Sequence, residues 1–164
     1  MLIFTTEEFT EKLRDEMLWG QEEYWKEVAS SFHQFPPDVD WKFYLNAQSK
    51  GMLKVICGRN KTGELMAVAF ILIAKHPHYA CICGSLPLLF IHPSNRNGWD
   101  GIHLIREAEK EAALAGAQLF LTHGGIHNKI DKLFEFLKYS DFGRYFVKVL
   151  PNSTNGIKPI YKEA

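Results

Sequence analysis

Leu89-Phe90-Ile91-His92-Pro93-Ser94-Asn95-Arg96-Asn97-Gly98-Trp99-Asp100-Gly101 is the stretch on which the fold depends. Its apolar start reads as a strand, which must stop at Pro93 because proline has no N–H for a ladder. A polar turn with two glycines follows, and then an amphipathic helix. Glycine lets a backbone come close to a ligand, and the first N–H groups of a helix face outward without partners. With the helix dipole behind them they form an anion site suited to a pyrophosphate. Arg96 adds a positive charge, and Asp100 is a competing anion that could cap the helix from within.

Working outward, Trp99 to Ala115 is the clearest helix. Ile102, Ile105, Ala108, Ala112 and Ala115 line one face, and Arg106, Glu107, Lys110 and Glu111 another. Gly116 stops it. Gln118 to Thr122 reads as a short strand, His127 to Tyr139 as a helix and Tyr145 to Leu150 as a last strand. The tail from Pro151 to Ala164 is rich in small polar residues and is expected to be loosely ordered.

Upstream, Cys81 to Ile91 is a strand whose Gly84 and Pro87 predict a bulge or an irregular, unpaired stretch. Met52 to Cys57 and Leu65 to Ala74 form a hairpin around Arg59-Asn60-Lys61-Thr62-Gly63. Leu2 to Phe4 is a short first strand. Thr5 or Thr6 is the expected N-cap of a helix running to about Ala29, with Glu8 completing a capping box after Thr5. His33 to Asp40 is a loop containing Pro36-Pro37, and Asp40 caps a second helix, Trp41 to Ser49. The pattern predicts one mixed α/β domain over residues 1–164. Its central sheet is part antiparallel and part parallel, with helices on both faces.

Composition narrows the function. Nineteen basic and nineteen acidic residues cancel, which disfavours a nucleic-acid or membrane-surface partner. The longest apolar run, Leu65 to Ala74, is about half the length of a membrane span. Cys57, Cys81 and Cys83 are an odd set. The C-x-C pair is read as lying on opposite strand faces, so the three are expected to be reduced thiols of a cytoplasmic protein.

The segment from Leu89 to Gly101, continued through Leu104, Ala112, Gly116-Ala117 and Leu119 to Thr122, resembles the acetyl-CoA signature of the GNAT superfamily of N-acetyltransferases. Arg96 falls on that family's arginine or glutamine and Gly101 on its last glycine, while Trp99 stands where the family has its middle glycine. The resemblance implies an N-acetyltransferase whose cosubstrate is acetyl-CoA and whose partner is an unidentified primary amine, without a metal. It implies cofactor contacts from Phe90, Ile91, Arg96, Asn97, Gly98, Trp99, Gly101, Ile102 and Asn128, with the N–H near Phe90 or Ile91 on the acetyl carbonyl. The chain would act as a monomer or a homodimer.

Acetyl transfer to an amine needs a base, a stabilised oxyanion and a proton for the thiolate. The strand Cys81 to Ile91 carries no carboxylate. His123, at the carboxyl end of the next strand, is the expected base, with a turn-capping role as its alternative. Cys83 and Ser85 are lesser candidates. Tyr139 is the hydroxyl nearest the place where the family keeps its acid. His123 and His127 lack a third ligand, so no metal is expected. The aromatics Trp19, Tyr24, Trp25, Phe32, Phe35, Trp41, Phe43 and Tyr44 make either core or an acceptor pocket. A catalytically degenerate GNAT-fold protein, acting as a binding module, is the alternative reading.

Overall fold

The computed structural model describes residues 1–28, 39–96, 98–123 and 130–143, leaving out the side chains of residues 22, 25 and 26. Five strands form one sheet in the order β1 (Ile3–Glu7), β2 (Leu53–Arg59), β3 (Leu65–Lys75), β4 (Ile82–Ile91) and β5 (Leu119–Leu121). The first four pair antiparallel, and β4 pairs β5 in parallel. Helices α1 (Glu11–Val28) and α2 (Trp41–Ser49) cover one face. Helices α3 (Asp100–Leu114) and α4 (Ile130–Phe136) cover the other. The expected strand Tyr145–Leu150, the loop from His33 and the tail from Pro151 lie outside the described residues.

Strand alternation builds two cores. Val55, Cys57, Val68, Phe70 and Phe90 face α1 and α2, where Phe9, Leu13, Met17 and Ala47 meet them. Ile56, Ala67, Ala69, Ile71 and Ile73 face the Leu104, Ala108 and Ala112 stripe of α3. The small residues are there for a reason. A Cβ on Gly84 would sit 2.9 Å from the Cβ of Ala112 and 3.1 Å from the Phe120 ring, so α3 lies directly on β4. Gly84→Ala is expected to cost about 1–3 kcal/mol by overpacking, read as a lower urea midpoint at unchanged slope.

Two local expectations need correction. Thr5 and Thr6 do not cap α1: they sit in β1, paired with Cys57 and Ile56. The cap is Thr10, whose Oγ1 accepts from the Leu13 N–H at 3.1 Å. β-Branched threonines suit a strand that has a partner, and that partner lies about fifty residues away in sequence. Cys81 and Cys83 are not on opposite faces either. Residues two apart on an extended chain share a face, and their sulfurs lie 3.9 Å apart with both thiols free.

Asp40 caps α2 as expected, accepting from the Phe43 N–H at 3.0 Å. Arg59, next to the hairpin turn, grips Glu7 through two hydrogen bonds of 2.8 Å and reaches Glu16 on α1 at 2.6 Å. This fork ties β1, β2 and α1 together, and the guanidinium holds the Glu7 carboxyl below the usual range. None of the described helices is long and apolar enough to cross a membrane.

Candidate active site

Strand β4 leaves the sheet at His92, whose N–H still donates to Met66 O on β3. Pro93 to Asn95 form a short 3-10 turn in which His92 Nδ1 accepts from the Ser94 N–H. α3 then begins at Asp100, with Trp99 as its N-cap and no side chain satisfying its first turn. The N–H groups of Asp100, Gly101 and Ile102 therefore have no intrahelical acceptor and find none among the described residues. Asp100 does not cap the helix from within. It is only 7% exposed, and its carboxylate accepts from the Leu2 N–H at 3.1 Å, tying the start of β1 to α3.

The glycines of the turn matter for space, not for strain. Neither Gly98 nor Gly101 has a positive φ. A Cβ on Gly98 would meet nothing within 4 Å, and one on Gly101 would only touch Ile91 Cδ1 at 3.5 Å. Trp99, in the place of the resembled family's middle glycine, is 63% exposed. An open hollow of about 550 Å³ is bounded by Met1, Ser94, Asn95, Gly98, Trp99, Asp100 and His103. Asn97 and Asn128 lie outside the described residues. The side chain of Ile102 packs toward Ile105 and Phe134 between α3 and α4, so only its backbone faces the turn.

The sheet opens beside this turn. β4 and β5 pair at Cys83–Leu119, Gly84–Phe120 and Ser85–Leu121, and β5 ends there. Opposite β3, both Leu86 and Pro87 face the single residue Ile71 in a bulge. The bulge and the missing N–H of Pro87 interrupt the pairing with β3, which resumes at Leu88. Beyond it, hydrogen-bonding directions alternate along the strand. Because the His92 N–H points to β3, those of Ile91 and Leu89 point to the open edge. Of the two expected acetyl contacts, Ile91 therefore presents its N–H to the gap. Phe90 presents its ring to α1 instead, 5.6 Å from Trp19 and 5.9 Å from Tyr24.

Mid-helix Gly20 lets α1 come this close, since a Cβ there would lie 3.1 Å from the Phe90 ring. One turn on, the Tyr24 hydroxyl donates to Pro87 O at 3.4 Å, and burial pushes its pKa up to about 12. Arg96 is drawn to the same side. Its Nε donates to Ile91 O at 2.8 Å, one terminal nitrogen donates to Glu27 at 2.8 Å, and the guanidinium lies 5.1 Å from the Phe90 ring centre. Sequence reasoning missed Glu27. The available signal was Gly20, Tyr24 and Glu27 recurring on one face of α1.

His123 lies exposed, two residues beyond the end of β5, at the carboxyl side of the gap. Tyr139 follows α4 and packs on Phe120 and Phe134. Its hydroxyl donates to Glu109 on α3 at 2.7 Å. Burial, and then that carboxylate, push its pKa well above the ordinary phenol range. A phenol so held keeps its proton, which weakens its case as the acid. Tyr139→Phe is expected to cost about 1.5–3 kcal/mol of stability, the worth of a hydrogen bond to a charged group, while any turnover stays within about twofold. Urea unfolding and a free-thiol assay check the two halves.

No family model matches the chain, and no curated protein matches it. Solved structures do superpose on nearly all of it. One is a predicted acetyltransferase of Clostridium acetobutylicum with acetyl-CoA, at 10% identity and TM-score 0.70, covering 94% of this chain and 99% of that one. A second is an aminoglycoside acetyltransferase from an uncultured soil metagenomic sample, at 12% identity and TM-score 0.69, covering 92% and 99%. A third is a transcriptional regulator of Bacillus halodurans, at 13% identity and TM-score 0.66, covering 90% and 100%. At these identities the likeness is one of fold. The fold is that of the GNAT-type acetyltransferases.

Proposed function

We propose that this chain is an N-acetyltransferase that moves the acetyl group of acetyl-CoA to a primary amine by direct attack within a ternary complex. The observation that supports it best is the parting of β4 from β5 after Ser85 and Leu121, beside the N-terminal N–H groups of α3 that find no acceptor among the described residues. One feature binds an extended chain through backbone groups and the other binds a diphosphate. The residues present suit acetyl-CoA on three counts. Gly98 leaves open space at the turn, the exposed Trp99 is not packed into the core, and the Leu89 and Ile91 N–H groups face an edge without a strand partner among the described residues.

Acetyl-CoA supplies an activated thioester carbonyl. The Ile91 N–H is placed to donate to the acetyl oxygen as negative charge grows there. His123, directly or through a water, takes the proton of the attacking amine. The N–C bond forms, the C–S bond breaks, and the thiolate of coenzyme A leaves and is protonated from solvent. The aromatic wall of Trp19, Tyr24 and Phe90 bounds the acceptor side. Small cationic amines suit that wall, and one similar fold is an aminoglycoside acetyltransferase.

A binding module without turnover is the second reading, favoured by the engagement of Arg96 with Glu27 and by the regulator of similar fold. Release of free thiol from acetyl-CoA in the presence of a panel of primary amines separates the two. The enzyme reading expects release with at least one amine that exceeds hydrolysis without amine. Binding of acetyl-CoA with no release over the whole panel would favour the module.

A further inference from the structure

β4 carries no carboxylate, but α1 brings one to its end. Glu27, one residue before α1 stops, accepts from Arg96, whose Nε bonds the carbonyl of Ile91. The Arg96 cation therefore rests among a carboxylate, the Phe90 ring and a backbone carbonyl at the open edge of β4. A carboxylate with an aromatic face is what recognises an ammonium or guanidinium group. Here that place is filled by the protein's own side chain.

Its hold is weak. Arg96 and Glu27 are 37% and 39% exposed, and ion pairs this wet contribute little. A diphosphate at the first turn of α3 offers Arg96 two negative charges and the parallel oxygens that a guanidinium grips in pairs. Arg96 lies between the two sites, in the same turn as Gly98 and four residues before α3.

Resting on the N-acetyltransferase reading, we propose that Arg96 and Glu27 form a latch that the diphosphate of acetyl-CoA opens. The vacated place, between Glu27 and the Phe90 ring, takes the second ammonium group of a small polycationic acceptor. The amine to be acetylated must be neutral to attack, so the charge that orients such an acceptor is carried by another of its nitrogens. Cofactor then binds first, and the acceptor class is that of diamines, polyamines and aminoglycosides.

Calorimetric titration of spermidine into the full chain, with and without saturating coenzyme A, tests the latch without turnover. In the wild type, coenzyme A is expected to tighten spermidine binding about tenfold. Glu27→Gln loses that gain while binding coenzyme A at least as tightly as the wild type. Arg96→Ala binds spermidine equally with and without coenzyme A, and binds coenzyme A more weakly. Wild-type spermidine affinity indifferent to coenzyme A, or an unchanged gain in Glu27→Gln, would overturn the latch alone. A wild-type chain that binds no coenzyme A overturns the N-acetyltransferase reading and the latch with it.

Discussion

Gly98→Asp is expected to weaken acetyl-CoA binding about a hundredfold while leaving the fold unchanged. The new side chain has room, because nothing lies within 4 Å of the Cβ position and the backbone φ is not positive. Its charge, however, would stand beside the N–H groups of Asp100, Gly101 and Ile102, where the diphosphate is proposed to sit. Two like charges about 4 Å apart repel by several kcal/mol at the effective dielectric of a protein surface, and every 1.4 kcal/mol is tenfold in affinity. Gly98→Ala is the control, expected to bind within about threefold of wild type. Titration calorimetry on both, with a urea melt to show equal stability, reads the result. An unchanged affinity in Gly98→Asp would mean that the diphosphate does not use this turn.

His123→Ala is expected to lower kcat about a hundredfold, within the range for losing a positioned base. The binding of acetyl-CoA should hold within about threefold, since the residue lies past β5 and away from the α3 turn. If the variant turns over at the wild-type rate, the proton leaves by another route.

What the sequence made legible is local. The turn after Ile91 is visible because Pro93 stops a strand and a 3.6-residue apolar stripe starts within a few positions. The bulge at Leu86 and Pro87 shows through Gly84 and Pro87, and Asp40 announces α2 because a cap acts on its own helix. What stayed hidden depends on partners far along the chain. Arg96 looked like a cation free for phosphate, yet Glu27, 69 residues earlier, holds it. Asp100 looked like a cap, yet Leu2, 98 residues earlier, takes its carboxylate. Thr5 and Thr6 have the side chains of helix caps, and only the register against β2 makes them strand. The phenol of Tyr139 looked available for acid chemistry until α3 packed on α4 and brought Glu109 to it. Pattern reports periodicity and punctuation, whereas pairings between distant segments follow from the packed core.

The opening between β4 and β5, with the first turn of α3, is the proposed acetyl-CoA site. Titrating acetyl-CoA into the full chain by calorimetry tests it most directly. One molecule per chain, with a Kd in the micromolar range typical of enzyme substrates, is the predicted result. No binding at about 1 mM acetyl-CoA, the upper end of the range for enzyme substrates, would contradict it.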